Sequence, residues 1–96
     1  MTERELLNRV KEIVHHHLGT DVQMILFGSR AAGKAVSSSD YDIGLRASQP
    51  IDPLTMARIY DAVEELPTLQ KVEIVDLTKV TKRFYATAMQ NTQAIK

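Results

Sequence analysis

Apolar residues recur at helical spacing from the start of the chain: Leu6, Leu7, Val10, Ile13, Val14 and Leu18 fall on one stripe of a 3.6-residue repeat. Thr2, with Glu5 three residues on, forms a capping box that satisfies free N–H groups at a helix start, and Gly19 supplies the stop. The pattern predicts a helix over residues 3–18. It then changes to a continuous apolar run, "VQMILF" (22–27), bounded by Asp21 and Gly28, which reads as a buried strand. The small residues of 29–35 suit a brief helix, "SSS" (37–39) a loop, and "DYDIGL" from Asp40 a second strand. "SQPIDP" (48–53) is the one clear break in the chain. Asp52 is a good N-cap and Pro53 a good first helical residue, so a helix is predicted over 53–65, ended by Pro67. "KVEIVDL" (71–77) reads as a third strand. Thr78 or Thr81 then caps a last helix carrying Val80, Phe84 and Ala88. The final "QAI" reads either as a short edge strand or as a frayed tail. Met56, Tyr60 and Phe84, at helical spacing with other apolar residues, are assigned to the core, with a subunit interface as the alternative for part of that apolar surface. The order predicts an α+β fold, a small mixed sheet of three to four strands flanked by helices.

Composition narrows the classes. Ninety-six residues allow one modest core, so a single domain over 1–96 is expected. Twelve basic residues balance twelve acidic ones, and no global field draws nucleic acid or an anionic membrane; direct nucleic-acid binding is not expected. No apolar run approaches the ~20 residues that cross a bilayer, and "MTERELLNRV" lacks a signal-peptide core. Cysteine is absent, which removes disulfides and thiolate metal sites and agrees with a cytoplasmic location.

The candidate chemistry lies in "GSRAAGKAVSSSDYDI" (28–43). A strand that runs into Gly28 and a helix that starts near Ser29 would present backbone N–H groups and a hydroxyl to an anion. Asp40 and Asp42 stand two apart in a strand and share a face. Side by side they raise each other's pKa unless a cation intervenes, and hard oxygen donors suit Mg²⁺ or Mn²⁺. Glu73 and Asp76 in the third strand have opposite parity, so only one can join them. Arg30 reads equally as a phosphate contact or as a structural tie from helix to loop. His15, His16 and His17 sweep around a helix and cannot converge on one ion, which leaves a solvated helix end.

Gly-Ser, ten residues and then Asp-x-Asp resembles the signature of the polymerase-beta-type nucleotidyltransferase superfamily, and the size and layout resemble its minimal branch. The resemblance implies the polymerase-beta-like fold, nucleotide binding at Gly28, Ser29 and Arg30, and metal and catalytic roles for Asp40, Asp42 and a third acid. Glu73 best matches the third acid, with Asp76 as fallback. Two departures stand out: Glu73 is one methylene longer than the family's usual aspartate, and Ala32 stands where many relatives carry a second arginine. The resemblance further implies Mg²⁺ or Mn²⁺, ATP as substrate, and transfer of AMP to a hydroxyl. In that branch the acceptor is typically a tyrosine of a HEPN-type toxin, which the enzyme silences as its antitoxin; a HEPN-type partner is expected, and homo- and hetero-oligomers both stay open. The alternative is a module that keeps the fold but neutralises its partner by contact alone.

Overall fold

Thr2 caps the first helix, α1 (Glu3–Leu18): its hydroxyl accepts the Glu5 N–H at 3.1 Å, and the Glu5 carboxylate accepts the Thr2 N–H at 3.3 Å. The computed structural model describes residues 1–36 and 38–96; Ser37, in the predicted serine loop, lies outside the described residues. The first strand, β1 (Gln23–Phe27), leads directly into the single-turn helix α2 (Gly28–Ala31), which is shorter than the 29–35 expected. The second strand, β2 (Tyr41–Arg46), starts one residue after Asp40, which therefore sits just outside the sheet. Helix α3 (Pro53–Glu64) is capped by Asp52, whose carboxylate accepts the Thr55 N–H at 3.1 Å. After β3 (Val72–Asp76), Thr81 rather than Thr78 caps α4 (Lys82–Ala88), and the chain closes on β4 (Gln93–Ile95).

The four strands form one mixed sheet in the order β3-β2-β1-β4. β1 runs antiparallel to both β2 and β4, whereas β2 and β3 are parallel. A parallel pair needs a crossover of a dozen or more residues, and α3 with its flanking loops supplies it. "QAI" is thus an edge strand, held because Gln93–Ile95 find the free side of Met24–Leu26; the Lys11 ammonium also donates to the Lys96 carbonyl at 3.0 Å.

Strand parity divides the sheet into two unlike faces. Met24, Leu26, Tyr41, Ile43, Leu45 and Ile74 join Leu6, Val10 and Val14 of α1 and Met56, Ile59 and Val63 of α3 in the main core. Burying each such aliphatic side chain contributes ~1.5–3 kcal/mol of transfer free energy. The opposite face carries Ile25, Phe27, Asp42 and Glu73, and the short α4 covers part of it, with Phe84 edge-to-face on Phe27 at 6.0 Å. Of the three residues assigned to the core by spacing, only Met56 is buried; Tyr60 and Phe84 are each 42% exposed. Tyr60 lies at the margin of the α3 stripe, where its hydroxyl donates to the Ile74 carbonyl on the outer edge of β3. Phe84 sits on a seven-residue helix too short to enclose it.

Candidate active site

β1 delivers the chain into Gly28 with a backbone φ of +75°, a left-handed conformation that glycine takes at no steric cost. A second constraint acts at the same residue. A Cβ on Gly28 would lie 2.4 Å from Oδ2 of Asp42, so the backbone of the turn rests directly against that carboxylate. Register explains the meeting: Phe27 is the ladder partner of Asp42 in the antiparallel pair. On its other side Asp42 is the ladder partner of Glu73 in the parallel pair. The Gly-Ser turn, Asp42 and Glu73 therefore line up across three adjacent strands on one face. Asp40, two residues earlier, is exposed at the same end of the sheet.

The negative charges of this row are only partly compensated. Burial, then the negative charges of Glu73 and Asp40, push the Asp42 carboxyl above the ordinary carboxylate range. The counterion present is Lys71, whose ammonium lies 2.9 Å from Oε1 of Glu73 and is held above its usual range first by that hydrogen bond and then by the charges of Glu73, Asp40 and Asp42. Lys71 belongs to no motif in the sequence, and the one signal that could have found it is parity: it stands two positions before Glu73. Among the described residues no three carboxylates or imidazoles are already gathered as a metal cage. In chemistry the donors fit a divalent cation: they are hard oxygens, and burial with the charges of Glu73 and Asp40 outweighs the one positive charge, Lys71, that favours ionised Asp42.

Asp76 belongs to a different part of the structure. It is 7% exposed on the core face of β3, and its carboxylate accepts the Ile51 N–H at 2.8 Å, the Thr78 N–H at 2.9 Å and the Thr78 hydroxyl at 2.7 Å. Burial alone would raise its pKa. The hydrogen bonds from Thr78 and Ile51, helped by Lys79, overcome that and hold the carboxyl below its ordinary value. Asp76 ties the loop before α3 to the end of β3. Arg30 also turns away from the acids: its Nε and Nη2 donate to the Ser39 carbonyl at 3.2 and 2.8 Å, and its guanidinium lies 3.8 Å over the Tyr41 ring. Tyr41 and Asp42 project from opposite faces, so of the two readings of Arg30 the structure displays the tie from α2 to the loop. Ser29 is exposed at the start of α2. The three histidines line the last turn of α1.

The profile of the polymerase beta nucleotidyltransferase family matches residues 8–96. The chain belongs to that family. It is 32% identical over 80 residues to the probable protein adenylyltransferase MntA of Haemophilus influenzae, covering 83% of this chain and 69% of that protein, which identifies the minimal branch. Among solved structures it is similar to a toxin–antitoxin with AMP-PNP, at a TM-score of 0.73 and 18% identity over 94% of this chain and 72% of that one. It is equally similar to a Shewanella oneidensis complex of MNT antitoxin with a tri-AMPylated HEPN toxin, at a TM-score of 0.73 and 15% identity over 99% of this chain and 72% of that one. These likenesses bear out the α+β polymerase-beta-like architecture expected from the sequence.

As a nucleotidyltransferase of this branch, the chain makes Gly28 a sensitive position. Gly28→Ala is expected to cost about 1–2 kcal/mol for the left-handed backbone, which for a domain of this size lowers Tm by roughly 5–10 °C. Thermal unfolding by circular dichroism checks it. A wild-type Tm would mean that the turn relaxes away from Asp42 at no cost.

Proposed function

We propose that this chain is a metal-dependent nucleotidyltransferase that transfers AMP from ATP to a tyrosine hydroxyl of a HEPN-type toxin and so serves as its antitoxin. The observation that carries the reading is the row in which the Gly28 backbone, Asp42 and Glu73 meet across three strands. The likeness to MntA supports protein adenylylation, and the likeness to MNT–HEPN complexes supports the partner class.

Asp40, Asp42 and Glu73 would hold Mg²⁺ or Mn²⁺. Such an ion, when bound, neutralises the charge of the phosphate oxygens and of the departing pyrophosphate. The chain's own groups do the rest. Ser29 and the N–H groups that open α2 donate to the triphosphate and orient it. Glu73 accepts the proton of the attacking hydroxyl as its oxygen bonds to the α-phosphorus. The bond to the β-phosphate oxygen breaks, and pyrophosphate leaves. Lys71, paired to Glu73 at 2.9 Å, holds that carboxylate in place within the row.

Labelled ATP, Mg²⁺ and the co-purified partner test the proposal, with an Asp40→Ala/Asp42→Ala double variant as control. Label on a partner tyrosine with the wild type and none with the variant is the expected result. No label from either, with the partner still neutralised by the variant, would leave the contact-only module as the reading.

A further inference from the structure

We infer that Phe84 is the platform on which the nucleobase of the bound triphosphate stacks, an assignment that rests on the nucleotidyltransferase reading above. The chain has two phenylalanines, and they touch each other beside the acidic row. Phe27 immediately precedes Gly28 and is the ladder partner of Asp42, so its side chain and the Asp42 carboxylate are neighbours on one face. Phe84 packs on Phe27 with ring centroids 6.0 Å apart and planes at 81°. Directly opposed Cβ atoms in an antiparallel pair stand ~5 Å apart and a phenyl ring centre lies about 3 Å beyond its Cβ, so the Phe84 ring lies within about 14 Å of the Asp42 Cβ. That span is the reach from the phosphates of a nucleotide, across its ribose, to the base.

Phe84 is also positioned and free to receive a base. Its N–H is fixed by the Thr81 hydroxyl at 3.1 Å, and the edge-to-face contact with Phe27 braces the ring without covering it, leaving the residue 42% exposed. An aromatic ring left half in water beside a polar row is poorly placed as core and well placed for a flat apolar ligand. The neighbouring Tyr85 is committed elsewhere, with its hydroxyl 3.4 Å from Nη2 of Arg46 at the far end of β2. A phenyl ring offers no hydrogen-bonding edge, so it holds bases by stacking area and separates adenine from guanine only weakly.

Titration calorimetry with two probes tests the assignment, Mg–ATP and Mg–tripolyphosphate, the second lacking base and ribose. Phe84→Leu, which keeps apolar contact with Phe27, is expected to weaken Mg–ATP about tenfold and to leave tripolyphosphate within about twofold of wild type. Phe84→Trp should restore ATP affinity. The chain contains no tryptophan, so the new indole reports alone, quenched by ATP and not by tripolyphosphate. Unchanged ATP binding by Phe84→Leu, or an equal loss for both probes, overturns the platform while the nucleotidyltransferase reading stands. So does loss of partner binding with ATP binding intact, which would assign the ring to a protein contact. If Phe84→Leu fails to fold, a Phe84→Trp indole that ATP leaves unquenched overturns the platform equally. A wild type that binds neither probe removes the nucleotide reading, and the platform with it.

Discussion

Asp42→Asn is expected to lower AMP transfer about 10³-fold while raising the Tm of the metal-free protein. The first effect follows from the row of acids. Asp42 sits between the Gly28 turn and Glu73, and its neutral amide analogue supplies a weaker donor to a cation and none of the negative charge. Loss of charge stabilisation of about 4 kcal/mol corresponds to three powers of ten in rate. The second effect has the opposite sign. Burial and the charges of Glu73 and Asp40 raise the Asp42 pKa in the fold, so the folded chain holds that proton more tightly than the unfolded one. The stability contributed is therefore full below the unfolded value and is lost as pH rises through the folded value. At neutral pH the ionised Asp42 is a cost, and asparagine removes it. Solvent screening keeps the gain small, about 2–4 °C in Tm with EDTA present. Transfer assays and thermal unfolding at pH 7 check both halves. Full activity in the variant would remove Asp42 from the chemistry, and a lower Tm would mean that its carboxylate is stabilising.

Asp76→Ala should produce the largest loss of stability, about 3 kcal/mol at pH 7, or on the order of 15 °C in Tm for a domain of this size. The carboxylate accepts three hydrogen bonds in a nearly dry position, and its removal strands the Ile51 N–H inside the protein. Here the sign of the pH dependence reverses relative to Asp42. The Asp76 pKa is depressed in the fold, so its contribution is full above the unfolded value near ~4 and fades as pH falls through the lower, folded value. Urea unfolding at pH 7 and at pH 3 should show the gap between wild type and variant narrowing in acid. An equal gap at both pH values would mean that the loss comes from packing and not from the charged hydrogen bonds.

Local signals made most of the fold legible. The capping box at Thr2, the Asp52-Pro53 start and the apolar runs of β1 and β3 act within a few residues, and each of those elements appears at or within a residue or two of its predicted place. Long-range partners governed what was not legible. "QAI" carries no strong strand pattern of its own and becomes β4 only because β1 offers a free edge. Parity in the sequence allowed one of Glu73 and Asp76 beside Asp42, but the choice rests on the β2–β3 register, which no local pattern encodes. Arg30 was undecidable for the same reason, since its partners Ser39 and Tyr41 come from the far end of the spacer. Helical spacing points Tyr60 and Phe84 toward the core, yet both are half exposed, because spacing reports a stripe but not whether anything covers it.

The parallel ladder between β2 and β3 has a consequence for divergence. The separation of Asp42 and Glu73 is set by main-chain hydrogen bonds, which every non-proline residue can make, and not by the shapes of particular core side chains. A slip of register would matter, by one residue because it would turn Glu73 to the opposite face and by two because it would carry Glu73 along the strand away from Asp42. Substitutions in the core can therefore accumulate, each changing stability a little, without moving the two acids relative to one another. Chains 18% and 15% identical to this one retain its fold at a TM-score of 0.73. A geometry written in the backbone is one that drift in the side chains can scarcely erase.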